Sequence, residues 1–143
     1  MRLLAYCLEY EEGILLTEGV AAGDEPAVLI RDMTGKTKAW IEVGMPGADR
    51  LHRGLNLAGR AAVYTHRDAR KLIKEWEAAG IPRLADVPIY AVDRNLVEEV
   101  AGLLAARRNS LTLSITEREL YLDVDGRMFT STIVEHRASG ARS

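Results

Sequence analysis

The stretch Asp24–Arg53, DEPAVLIRDMTGKTKAWIEVGMPGADRLHR, decides how this chain folds. Ala27 to Asp32 and Lys38 to Gly44 are rich in β-forming side chains. Between them, Met33-Thr34-Gly35-Lys36 supplies the glycine that a hairpin turn needs for positive φ. Gly44, Pro46 and Gly47 then break the second strand. Asp49 stands ahead of a helical apolar period, which predicts a helix cap. A two-residue turn at Thr34-Gly35 would pair Ala27 with Glu42 and Leu29 with Trp40. That register gathers Asp24, Glu25 and Glu42 at one end of the hairpin. Lys38, Trp40, Glu42 and Gly44 face one way on the second strand, and Ala39, Ile41 and Val43 the other. A carboxylate beside Trp40 on the first face is a candidate metal site.

Upstream, Arg2–Tyr10 predicts a short helix with Leu3, Leu4, Cys7 and Leu8 on one stripe. Glu9, Glu11, Glu12 and Gly13 end it, and Ile14–Glu18 reads as a strand. Downstream, Arg50–Arg60 is helical, with Leu51 and Leu55 inward and Arg50, Arg53, Asn56 and Arg60 on a polar stripe. Cations in a first helical turn oppose the helix dipole by about a few tenths of a kcal/mol. Pairing with carboxylates or contact with phosphate would explain Arg50 and Arg53; solvated arginines on an amphipathic helix are the plain alternative. Then follow a strand at Ala61–Thr65, a helix at Asp68–Ala79 capped by Asp68, a strand at Val87–Val92, and a helix at Leu96–Arg108 with Asp93 as cap. Two strands, Leu111–Ile115 and Leu120–Val124, precede an Asp125-Gly126 turn and a last strand, Met128–Val134. This alternation predicts an α/β layer fold, and the hairpin makes its sheet mixed. The last three strands either extend that sheet or form a separate ribbon. A single domain over 1–143 is expected, with a disordered tail over 136–143.

The 143 residues can bury a sizeable core, and 48% hydrophobic with 28% charged residues is ordinary for a globular protein. A net charge of -2 gives no global attraction to nucleic acid, so any such binding needs a local patch. One cysteine, Cys7, excludes an intramolecular disulfide and suits a reducing compartment. With neither a signal-peptide pattern nor a long apolar run, a cytoplasmic protein is expected. Three dispersed histidines, no P-loop, no G-x-G-x-x-G and no G-x-S-x-G leave zinc, mononucleotide and serine-hydrolase readings without support.

D-E-P, a hairpin, W-I-E-V-G-x-P and D-R-L-x-R together resemble the YaeQ family of bacterial proteins. R-L-L-A-Y, A-x-V-Y-T, P-I-Y-A-V-D and the L-Y-L-D ending extend the resemblance over nearly the whole chain. It implies a mixed α/β sheet flanked by helices, a restriction-endonuclease-like (PD-(D/E)xK) core with extra C-terminal strands, and a role that is poorly defined. In the family a further N-terminal stretch precedes the match to Met1. The chain is therefore expected to be shortened, leaving a sheet edge through which copies could associate.

Nucleases of that fold hold Mg²⁺ or Mn²⁺ on carboxylates and use a lysine near the attacking water. The resemblance puts the second acid on Glu42, the lysine position on Gly44 and the first acid on Ala27. Asp24 and Glu25 remain as candidate ligands, Glu9 as a weaker one, and Arg53 as the nearest basic substitute, although an arginine is a poor general base. The expectation is thus a degenerate acidic site, with Glu42, Asp24 and Glu25 as candidate catalytic residues and Glu42 and Asp24 as metal ligands. Arg50, Arg53, Arg60 and Trp40 are candidate binding residues for a nucleic-acid or protein partner. The alternative is a metal-dependent phosphodiesterase using Glu42 with Asp24 or Glu25.

Overall fold

Two sheets divide the chain in the computed structural model, which describes residues 1–17, 26–104 and 111–138. The larger has six strands in the order β1 (Ile14–Leu16), β2 (Val28–Arg31), β3 (Thr37–Val43), β4 (Ala61–Thr65), β5 (Ile89–Ala91), β9 (Val134–His136). The β1–β2, β2–β3 and β5–β9 pairs are antiparallel, while β3–β4 and β4–β5 are parallel. The sheet is therefore mixed, as expected.

Helices cover both of its faces. On one face α1 (Arg2–Leu8) closes a cluster containing Ala5, Val28, Ile30, Ala39, Ile41, Ala62 and Tyr64. On the other, α2 (Ala48–Ala58) and α3 (Ala69–Ala79) cover Trp40, Val63 and Ile89 with Leu51, Leu55, Leu72 and Trp76. The period-2 alternation along β3 and β4 feeds these two clusters in turn. Helix α4 (Arg94–Leu104) packs instead with Leu120, Leu122 and Val124 of the second sheet, whose order is β6 (Leu111–Thr116), β7 (Glu119–Val124), β8 (Arg127–Thr132).

The hairpin register holds where it matters, by a route the sequence did not indicate. Leu29 pairs with Trp40 and Val28 with Ile41. The loop, however, is one residue longer: Asp32 N–H donates to Lys36 O at 2.8 Å, and Gly35, at φ +86°, donates back to Asp32 O at 3.0 Å. A bulge between Ile30 and Arg31 then restores the expected pairing. Asp32 stabilises the longer loop, its Oδ1 accepting from Thr34 N–H at 2.8 Å and Lys36 N–H at 3.1 Å.

Several local expectations change. Gly47, not Asp49, occupies the N-cap of α2, and Asp49 lies inside the first turn, where its charge suits the dipole. Asp68 does cap α3, accepting from Arg70 N–H at 3.0 Å. The last predicted strand is two strands: β8 ends at Thr132, the chain crosses over at Ile133, and β9 returns to the main sheet. The three-strand unit β6–β7–β8 is thus a separate ribbon. Within the expected tail, His136 pairs with Ile89 and Ala138 is buried in the α2–α3 cluster. The remainder of that tail, and the end of the predicted helix past Leu104, lie outside the described residues.

Candidate functional site

Glu42 sits near the end of β3 on the side covered by α2, and only 4% of it is exposed. Its partner comes from the first turn of α2: the Nε–H of Arg50 donates to Glu42 Oε2. The Arg50 guanidinium also lies over the Trp40 ring, 5.9 Å from its centroid. Two sequence features bring this about. Gly44, Pro46 and Gly47 turn the chain sharply enough to lay α2 back over its own strand. Gly54 then lets that helix approach, since a Cβ there would come within 2.5 Å of the Trp40 ring. The ion pair offsets the unfavourable placement of a cation in the first turn of a helix.

The other sequence candidates separate. Asp24 and Glu25 lie outside the described residues. Ala27 precedes β2 and packs in the α1-side cluster with Ala5 and Ile14, so it does not stand beside Glu42 as the extrapolated register implied. The β2–β3 pairing reaches Val28, and on the other edge of β2 Thr17 N–H donates to Ala27 O at 3.1 Å, carrying the β1 register one residue further. Trp40 is buried, a core residue more than a platform for a base. Arg53 is exposed on the outer side of α2. Among the described residues no group of three His, Cys, Asp or Glu side chains is arranged to hold a metal ion.

Arg60 and Glu9 meet on the opposite side of the sheet. Arg60 Nη2 donates to Glu9 Oε1 at 2.9 Å, and the Tyr64 hydroxyl donates to Glu9 Oε2. Burial, reinforced by the charge of Glu9, pushes the Tyr64 phenol above its ordinary range, so it remains a donor. Glu9 and Glu42 therefore serve different faces and do not converge on one ion.

Around Glu9 opens a cleft that no sequence motif announced. Tyr64, Tyr90 and Glu135 stand in one register row across β4, β5 and β9. The two tyrosine rings stack at 4.9 Å. From above, the β6–β7 turn brings Glu117 and Arg118, and Arg118 Nη2 donates to Glu135 Oε1 at 3.3 Å. Contacts with Arg137 and Arg118 hold the Glu135 carboxyl below its usual range. The only sequence trace of this cleft is the pair of tyrosines in A-x-V-Y-T and P-I-Y-A-V-D; their alignment depends on strand order.

No described helix is long and apolar enough to cross a membrane. Comparison with known proteins gives a consistent answer. The family described as YaeQ protein matches residues 1–133. The uncharacterized protein YaeQ of Escherichia coli strain K12 is 25% identical over 126 residues, spanning 87% of this chain and 69% of the relative. That of Salmonella typhi is 23% identical over 123 residues, or 85% of this chain and 67% of the relative. The crystal structure of the YaeQ protein from Pseudomonas syringae superposes with a TM-score of 0.85 at 27% identity, covering 96% of this chain and 76% of that one. The YaeQ structure from Xanthomonas axonopodis pv. citri gives 0.81 at 26% identity, with 96% and 77% covered. With the family matching residues 1–133 and these two structures superposing over 96% of its length, the chain belongs to the YaeQ family.

Proposed function

We propose that this chain is a non-cleaving protein on a restriction-endonuclease-like (PD-(D/E)xK) core, acting by binding nucleic acid rather than by hydrolysing it. The observation that carries the reading is the buried Glu42–Arg50 ion pair. A metal-binding acid must turn its lone pairs toward an ion and solvent-borne substrate. Glu42 instead spends a carboxylate oxygen on a guanidinium and lies beneath a helix. Gly44 where the fold's lysine would stand, and Ala27 in the α1-side cluster, support the same conclusion. Glu42 is then a structural acid that anchors α2.

Binding falls to the exposed flank of α2, with Arg53 as its leading cation, because Arg50 and Arg60 are engaged by Glu42 and Glu9. In this reading the protein works in the cytoplasm, and copies associate through the β1 edge, where Leu15 and Leu16 are 44% and 46% exposed.

The test incubates labelled single- and double-stranded nucleic acid with wild type, Glu42→Ala and Arg53→Ala, with and without millimolar Mn²⁺. Wild type should leave the substrate intact. It should bind more weakly as salt rises, with Arg53→Ala lowering the slope of log K against log salt by about one. Mn²⁺-dependent cleavage that Glu42→Ala abolishes would establish the phosphodiesterase reading instead, with Glu42 and Asp24 or Glu25 on the ion. Absence of any low-salt affinity would reject nucleic acid as the partner.

A further inference from the structure

We infer that the cleft between the two sheets is a binding site for a small organic cation, an alkylammonium group on an apolar stem, held among Glu9, Glu117 and Glu135 and the paired rings of Tyr64 and Tyr90.

The cleft has a volume of about 320 Å³, at the lower end of the range that small-molecule sites occupy. Its lining is uneven in charge: three glutamates face a single arginine, Arg118. Arg60 and Arg137 reach Glu9 and Glu135 from outside the lining, at 2.9 Å and 2.8 Å. Among the described residues Glu117 makes no ion pair, so an acid of the cleft remains for a cationic guest. Glu117 stands in the left-handed backbone region, at φ +59°, at the tip of the β6–β7 turn. The turn is fixed, with Ile133 N–H donating to Arg118 O at 2.8 Å.

The other walls decide what kind of cation fits. Tyr90, half-buried and stacked on the buried Tyr64, is the aromatic wall of the cleft, and an electron-rich ring attracts an ammonium group. Leu8, Ile115 and Ile133 line the remainder and suit methylene groups. A bare metal ion has no place here, since among the described residues no three ligating groups are arranged to hold one. An elongated cation can instead touch acids that lie apart and bury its stem on the apolar wall. The same chemistry is carried by a free diamine and by a lysine side chain of another polypeptide.

This site lies on the α1 side of the sheet, away from Glu42 and Arg53, and does not depend on the nucleic-acid reading. The experiment is calorimetric titration of the full chain with 1,4-diaminobutane, with a blocked lysine tripeptide, and with glutarate as the anionic control. Saturable binding of the diamine or the peptide is expected, with none for glutarate. The stronger of the two identifies the source. Glu117→Gln, an exposed change, should weaken binding by about tenfold through loss of a charged partner. Tyr90→Leu should also weaken it, and Arg53→Ala should leave it unchanged. The proposal is overturned if neither cation gives a saturable isotherm at millimolar concentration, or if Glu117→Gln binds as wild type does. Equal binding of glutarate would also overturn it.

Discussion

Removing Arg50 should harm this protein far more than neutralising the acid it holds. The Glu42 side chain is 5% exposed and that of Arg50 is 23% exposed. Arg50→Ala therefore strands a carboxylate with little access to water. Breaking a buried pair this way costs about 3–5 kcal/mol. Some water can follow the vacated guanidinium path, which sets the expectation near the low end, about 3 kcal/mol. The stacking of Arg50 on Trp40 adds about 0.5–1 kcal/mol that any replacement short of a planar cation also loses. Glu42→Gln keeps the volume and one acceptor, and Arg50 can turn toward solvent, so about 1 kcal/mol is expected. In the double variant no charge is stranded, and the loss should fall below that of Arg50→Ala alone. Urea denaturation of the four proteins at neutral pH measures this cycle. For a chain this size the Arg50→Ala loss corresponds to roughly 10 °C in Tm. A loss under about 0.5 kcal/mol for Arg50→Ala, the value of a solvated surface pair, would refute the argument that Glu42 is a structural acid. So would a double variant no more stable than the single one.

Three further outcomes follow from the same geometry. Gly54→Ala should destabilise by about 1–2 kcal/mol in urea unfolding. The clash with Trp40, a buried ring that cannot retreat, outweighs a helix-propensity gain of about 1 kcal/mol. Ala27→Asp should fail to bind Mn²⁺ by calorimetry and should lower the urea midpoint, because it buries an acid among Ala5, Ile14 and Ile41. Restored metal binding in that variant would show that position 27 can face Glu42 after all. His66 is held below its ordinary 6.5 first by burial, then by the N-terminal ammonium, Arg67 and Arg94, against the opposing Glu98. The folded state thus binds this proton less readily than the unfolded chain. The contribution is complete above 6.5 and is lost as pH falls toward the lower folded value. Urea midpoints at pH ~7.5 and ~5.5 should therefore differ less in His66→Gln than in wild type.

Much of the architecture was legible because it rests on local periodicity. The alternation in AVLIRD and KAWIEVG, the 3.6-residue stripes of α2 and α3, and the capping aspartate Asp68 all follow from a residue's near neighbours in sequence. The family resemblance also rests on such contiguous motifs, above all W-I-E-V-G-x-P. The turn was harder. The identity of Gly35 told of positive φ, but the choice between a two-residue loop and a longer loop with a bulge depends on how Asp32 satisfies backbone donors. The break at Ile133 was not legible, since nothing in MFTSTIVEH says that its two halves serve different sheets.

The candidate site divides in the same way. The sequence by itself determined that Glu42 shares a face with Trp40 and that Arg50 and Arg53 begin the next helix, because strand and helix periods fix which side chains are neighbours along one element. Only the tertiary structure decided that Glu42 is buried and paired with Arg50, that Ala27 leaves its expected place, and that Glu9 joins Tyr64 on the far side of the sheet. The cleft among Tyr64, Tyr90, Glu117 and Glu135 is wholly of this second kind. Its members are distant in sequence, and their meeting depends on strand order and on the second sheet lying over the first, quantities set by packing of the whole chain rather than by any local stretch.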